Sequence, residues 1–365
     1  MNRRNFFKQI TVPIIGALAQ SPGGQLRADS LAAEPASERT PALTEYERLK
    51  FGVSFHFSMN TFTDNDYEPG KVAATTYNPT RLDVRQWIRE ARDLGAKYAV
   101  LTAKHMSGFC LWDSKGYDYD VAASANKTDV VAAFAAACKE YGLRFGFYYC
   151  ILDPHNEGTL DWGAMISDQY FSLIRQHITE LHMQYPNTFY QLFDITSKLS
   201  PSQRWGLYRL VKKYSPNCIV VMNQDFDHSR RNQGRVCEPA SWPTDVINGE
   251  DTLPPPEGHE PHMTFEGKAY YMPFETWLPT GPIYPPMPRV HTWFWHPWYK
   301  TQSAEVIASA YHTCMTRRVN LLLNLAPDQT GRLPDEAVKT MHEVAERIQN
   351  WAGRLDAPKA MPGSN

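Results

Sequence analysis

One carboxylate interrupts an otherwise apolar run in this chain. Phe189-Tyr190-Gln191-Leu192-Phe193-Asp194-Ile195-Thr196 reads as a short buried strand of aromatic and β-branched residues running up to Asp194. A charge has no place inside such a strand, so Asp194 is expected where the strand opens onto a pocket. A carboxylate held stiffly there can attack an electrophilic carbon or exchange a proton. An Asp at a strand end is also an ordinary turn or helix-cap residue, so its neighbours must decide. His56, Lys104 and His105, Tyr148 and Tyr149, Asn223, Glu275 and Asn324 also fall at the ends of apolar runs. One such residue is unremarkable. A converging set is hard to explain by packing, because each buried polar group costs free energy when unpaired.

The elements that must position these residues alternate. Strands are expected at Lys50–Phe57, Lys97–Ala103, Arg144–Cys150, the Asp194 run, Cys218–Asn223 and Asn320–Leu325. Between them Val84, Trp87, Ile88, Ala91 and Leu94 recur at helical spacing, as do Val130, Val131, Phe134 and Cys138; Gly95 and Gly142 stop these helices. Further helices are expected near 168–184, 202–214, 303–317 and 334–351. Continuous apolar strands alternating with helices predict a parallel sheet covered by helices, closed as a (β/α)8 TIM-like barrel over residues 44–352. The polar strand ends would then share the C-terminal rim. No Gly-rich phosphate loop follows the first strand, which weighs against a dinucleotide fold. Residues 224–300 break the rhythm with many prolines and aromatics and only short pieces such as Tyr270–Met272 and Phe274–Leu278. Long loops in a compact barrel are usually functional. No second domain is expected after the barrel, only a tail at 353–365.

The 365 residues carry a net charge of −2, which gives no electrostatic case for nucleic acid or an anionic membrane surface. Aromatic content is 13%, which suits a site built from flat apolar faces, as carbohydrate sites often are. The six cysteines show no C-x-x-C pair or zinc spacing, so they are read as small buried hydrophobes. At the start, Arg3-Arg4-Asn5-Phe6-Phe7-Lys8 precedes a short apolar run from Ile10 to Ala19. This resembles a twin-arginine export signal over residues 1–28, with cleavage candidates at Ala17-Leu18-Ala19 and Leu26-Arg27-Ala28. A periplasmic or secreted location follows as an expectation. Residues 29–43 are expected to form a disordered lead-in.

Four blocks in order then carry a family resemblance. Lys50–Phe57 with Met59-Asn60-Thr61-Phe62-Thr63 resembles the opening strand of α-L-fucosidases, glycoside hydrolase family 29. Ala96–His105 with Gly108-Phe109-Cys110-Leu111-Trp112 is similar to that family's most recognisable block. Phe145-Gly146-Phe147-Tyr148-Tyr149 is similar to its third strand, and Asn320–Asp328 with Gly331 to its last strand and turn. The resemblance implies a retaining exo-glycosidase acting on terminal α-L-fucosyl or closely related residues of an oligosaccharide or glycoconjugate, with no metal and no cofactor. Two carboxylates about 5–5.5 Å apart would work by double displacement. Asp194 stands where the family has its nucleophile. His56, Lys104, His105, Tyr148 or Tyr149 and Asn223 would hold or flank the sugar, and Trp112, Trp277 and Trp293 could form an apolar wall. The acid/base is sought in the loops beyond the fifth strand. Glu250, anchored by Val246-Ile247, is preferred over Glu238, which lies nearer Asn223, and over Glu275, which could hold either the sugar or the acid.

This chain departs from the family at two motifs, and the C-terminal β-sandwich common in the family is not expected after its barrel. Asp194 is followed by Ile195-Thr196 rather than glycine, and the family's paired histidines become His105-Met106. The departures motivate a second reading, a catalytically silent barrel that binds sugar. Release of a leaving group separates the two.

Overall fold

The computed structural model describes residues 34–158, 161–223, 239–281 and 292–356. The export signal expected at 1–28, the candidate acid Glu238 and most of the expected tail lie outside these residues. Among the described residues there are ten strands: β1 (Phe51–Phe55), β2 (Tyr98–Lys104), β3 (Arg144–Cys150), β4 (Tyr190–Asp194), β5 (Ile219–Asn223), β6 (Ile247–Glu250), β7 (His262–Phe265), β8 (Lys268–Tyr271), β9 (Phe274–Pro279) and β10 (Asn320–Leu325). Eight of them form a parallel sheet in the order β5-β4-β3-β2-β1-β10-β9-β6. The sheet curls until its ends nearly meet. The Asp245 N–H donates to the Val220 carbonyl at 2.8 Å, and the Met222 N–H donates to Thr244 Oγ1 at 3.2 Å, just ahead of β6. The result is the (β/α)8-type barrel that the alternation predicts.

Helices coat the barrel, and their ends obey local chemistry. Val84–Leu94 begins at Asp83, whose carboxylate accepts the Gln86 N–H, and ends at Gly95 with φ +104°. Val130–Tyr141 is built alike, with Asp129 at its start and left-handed Gly142 at its end. Pro201–Tyr214 opens with a capping box between Ser200 and Gln203. Asp168–Gln184, Ala304–Thr316 and Asp335–Asp356 complete the expected set. Between β6 and β9, where the sequence breaks the alternation, β7 and β8 form an antiparallel hairpin. Its turn is Glu266-Gly267, both at positive φ, as a tight hairpin requires.

Strand side chains alternate between the barrel interior and the helices. Tyr98, Val100, Tyr148, Tyr190, Leu192, Val221 and Leu322 share one core, and Ala99, Leu101, Phe147, Phe193, Val220 and Leu323 belong to the other. The expected disordered lead-in at 29–43 needs correction over its described part. Helix Pro41–Leu49 begins inside it, and the Ala36 carbonyl accepts the Tyr271 N–H. The reason is an apolar stripe, Leu43, Tyr46 and Leu49, that covers the floor of the barrel. There Tyr46, Tyr98 and Tyr190 all donate hydroxyls to Glu275, at 2.7, 3.1 and 2.6 Å.

Candidate active site

At the opposite end, Asp194 and Glu250 terminate β4 and β6, and Asn223 terminates β5. The Asn223 side-chain N–H2 donates to Asp194 Oδ1 at 2.8 Å and to Glu250 Oε2 at 2.6 Å. Those two bonds laid end to end reach no further than the roughly 5–5.5 Å spacing of a retaining carboxylate pair, and fall short of an inverting one. Asp194 is fixed further by the Tyr148 hydroxyl on Oδ2 at 2.6 Å and by the Ile195 N–H on Oδ1 at 2.9 Å. Burial, with the charge of Asp194, pushes the Tyr148 phenol well up, so it stays a proton donor. Ile195 takes the left-handed φ of +58°. This is where the expected glycine is missing, and a β-branched residue pays strain there.

Beside the pair stands a ring of neutral histidine and aromatic faces. His56 Nδ1 lies 2.7 Å from Asn324 Oδ1. The Asn324 amide is oriented by its N–H2, which donates to the Trp293 carbonyl at 2.7 Å, so its oxygen must accept from His56. Burial depresses the His56 pKa to about 3. The ring is therefore neutral, with Nε2 left as an acceptor for a hydroxyl. His105 stacks on Tyr148 at 5.4 Å and meets the edge of Phe294 at 4.8 Å. Its buried Nδ1 has no hydrogen-bond partner among the described residues, and burial, then repulsion from a protonated His56 and from Lys104, push its pKa well down. Trp277 and Trp293, 4.3 Å apart, complete the wall. Asp194, Glu250, His56, His105 and Tyr148 line one cavity of about 70 Å³. A single water needs roughly 10–15 Å³ of such space, so the cavity has room for a small molecule.

Four sequence-expected residues are elsewhere. Lys104 follows a bulge in β2, where the register against β3 slips after Thr102, and this turns its side chain outward. It is fully buried against Asp153 at 2.9 Å and reaches the Tyr170 hydroxyl and the Cys150 carbonyl. Tyr149 is one residue out of phase with Tyr148, faces the helices and bonds His177 at 2.8 Å. Trp112 is buried with Nε1 donating to Glu180 at 3.0 Å. Glu275 sits at the start of β9, not its end, and so belongs to the floor. Burial raises its pKa against the hydrogen bonds of the tyrosines and Asn248. Sequence reasoning also missed Asp66, Tyr67, Met106, Trp162 and Phe294, which line the same cavity. The signal was available for Asp66 and Tyr67, which directly follow the opening block on the rim side of β1.

Among the described residues no group of His, Cys, Asp or Glu could hold a metal ion, and no helix is long and apolar enough to cross a membrane. The family model for α-L-fucosidase matches residues 31–352. The chain is 28% identical to α-L-fucosidase 1 of Arabidopsis thaliana over 339 residues, covering 88% of this chain but only 62% of that relative. Its fold resembles that of α-L-fucosidase isoenzyme 1 from Paenibacillus thiaminolyticus, with a TM-score of 0.67, 21% identity and coverage of 85% and 76% of the two chains. It equally resembles α-L-fucosidase AlfC from Lactobacillus casei, solved with α-L-fucose, with a TM-score of 0.65, 19% identity and coverage of 87% and 100%. With its barrel, its paired strand-end carboxylates and a family match over nearly all of its described length, this chain belongs to the α-L-fucosidase family.

Proposed function

We propose that this protein is a retaining exo-glycosidase that removes terminal α-L-fucosyl, or closely related, residues from glycans. The observation that carries the reading is Asn223, whose single amide group holds Asp194 and Glu250 at a retaining separation. Asp194 attacks the anomeric carbon as the bond to the leaving oxygen breaks, and Glu250 gives that oxygen its proton. Glu250 then takes a proton from water, whose oxygen attacks the same carbon and releases Asp194. His56 Nε2 and the Tyr148 face meet the sugar hydroxyls and ring, and the small cavity favours a terminal residue.

A panel of aryl α-L-fucosides and related α-L-glycosides tests this. Asp194→Ala is expected to abolish turnover, and azide is expected to rescue it with formation of a glycosyl azide. Glu250→Ala is expected to lose most activity on poor leaving groups and little on activated ones. Equal turnover by wild type and Asp194→Ala would remove Asp194 from its role. Saturable sugar binding without any leaving group released would mark the silent sugar-binding barrel instead. The twin arginine at Arg3-Arg4 supports export to the periplasm or medium. N-terminal sequencing of the extracellular form would check it, and an intact Met1 confined to the cytoplasm would reject it.

A further inference from the structure

Two segments of the cavity wall meet on one imidazole. His296 Nδ1 is 2.5 Å from Asp64 Oδ1, and Nε2 is 2.7 Å from Asp66 Oδ1. The ring is nearly buried and lies flat on Trp298, with centroids 4.7 Å apart and planes 2° apart. Asp66 spends its other oxygen on the Trp293 N–H at 3.1 Å. Asp66 and Tyr67 follow β1, and Trp293 and Phe294 precede helix Ala304–Thr316. All four line the cavity, and His296 joins the two segments that carry them.

A neutral imidazole has one N–H and can satisfy one aspartate; an imidazolium satisfies both. Burial opposes the charged form, but the hydrogen bonds and charges of Asp66 and Asp64 outweigh it, so the proton is held above the ordinary imidazole range. Among the described residues, the groups that face the ring are these two carboxylates from the β1 side and, on its own segment, Trp298 and Tyr299. The Tyr299 N–H bonds the His296 carbonyl at 2.9 Å, and its buried phenol stays neutral. Asp194 and Glu250, in contrast, are held from the strands by Tyr148 and Asn223.

We propose that His296 is a positioning residue whose imidazolium latches the Asp64–Tyr67 loop to the 292–298 segment and so sets the wall that grips the sugar. The proposal rests on the glycosidase reading. Below the titration of His296 the latch is closed. As pH rises through it, one aspartate loses its donor and the wall loosens.

The experiment measures the dissociation constant of free L-fucose across pH, alongside hydrolysis of an aryl α-L-fucoside. Wild-type affinity is expected to weaken about tenfold as pH rises through the transition, the scale of one charge-assisted hydrogen bond. Asp64→Asn keeps an acceptor oxygen but removes one of the charges that hold the proton, so it should move the transition to lower pH. A merely structural contact would not do so, and the partly exposed Asp64 makes this variant safe for folding. His296→Gln should bind weakly at every pH and show no transition. A flat wild-type profile, or a transition left in place by Asp64→Asn, overturns the latch while hydrolysis stands. Wild type that neither binds L-fucose nor hydrolyses the fucoside overturns the glycosidase reading and the latch together.

Discussion

The Tyr148 hydroxyl donates to Asp194 Oδ2 at 2.6 Å, and Tyr148 is itself a wall of the cavity. The phenol therefore both orients the carboxylate and shapes the cavity beside it. Tyr148→Phe keeps the ring and removes the bond. A hydrogen bond to a charged group is worth about 1.5–3 kcal/mol, so kcat/KM should fall by roughly tenfold to a hundredfold. Steady-state kinetics with unchanged thermal unfolding would check it; an unaltered kcat/KM would show that Asp194 needs no orienting by Tyr148.

Asn223 offers a sharper test because its amide serves two carboxylates at once. Asn223→Asp is nearly isosteric but replaces the shared donor by a third negative charge. The variant is expected to lose at least about a hundredfold in kcat/KM, the cost of an unmade bond and like-charge repulsion together. Lowering the pH should restore part of it as the cluster takes up a proton.

Lys104 and Asp153 are expected to matter for folding rather than for sugar binding. Both side chains are fully buried and paired at 2.9 Å. Lys104→Met strands Asp153 and should cost about 3–5 kcal/mol, read as a lowered thermal midpoint. Restoring charge balance with Lys104→Met and Asp153→Leu together should recover much of that loss. A Lys104→Met protein of wild-type stability with a raised KM would return Lys104 to the site.

Acid should destabilise the barrel through its buried histidines. His182, bonded to Ser215 and Gln191, has its pKa depressed by burial from 6.5 to about 4. The unfolded state binds the proton first, so this contribution is complete above pH 6.5 and is lost as pH falls toward and through about 4. It is worth roughly 3 kcal/mol. His177, depressed by burial to about 3, acts in the same direction. Denaturant melts of His182→Gln should show a shallower loss of stability between pH 6 and 4 than wild type, where the group's own titration is responsible.

The barrel was legible because apolar strands and capped helices alternate, and each capping residue, Asp83, Asp129 and Ser200 among them, acts within one turn of itself. Asp194, Glu250 and Asn223 were legible for a related reason: each ends a strand, and in a parallel barrel strand ends converge. Phase was harder to read. Tyr148 and Tyr149 are adjacent in sequence, and only the register of β3 decides which of them looks inward. The bulge that turns Lys104 outward leaves no mark in composition. Glu275 was assigned to the wrong end of β9 because the strand's limits, not its residues, decide which face of the barrel it meets. His296 was invisible, since its meaning comes from two aspartates more than 200 positions away.

The helix over Pro41–Leu49 limits how far the amino end can be trimmed. Its Tyr46 hydroxyl and carbonyl reach Glu275 and Asn320, so nine residues near the start of the described chain serve as the stopper of a cylinder whose staves come much later. Trimming at either predicted cleavage point, after Ala19 or Ala28, leaves the stopper seated. A cut beyond Tyr46 would open the foot of the cylinder and leave the buried Glu275 carboxylate facing water with fewer donors. Truncation should begin to harm the barrel once it removes Ala36, whose carbonyl accepts the Tyr271 N–H, and more strongly once it removes Leu43 and Tyr46, read as a falling thermal midpoint.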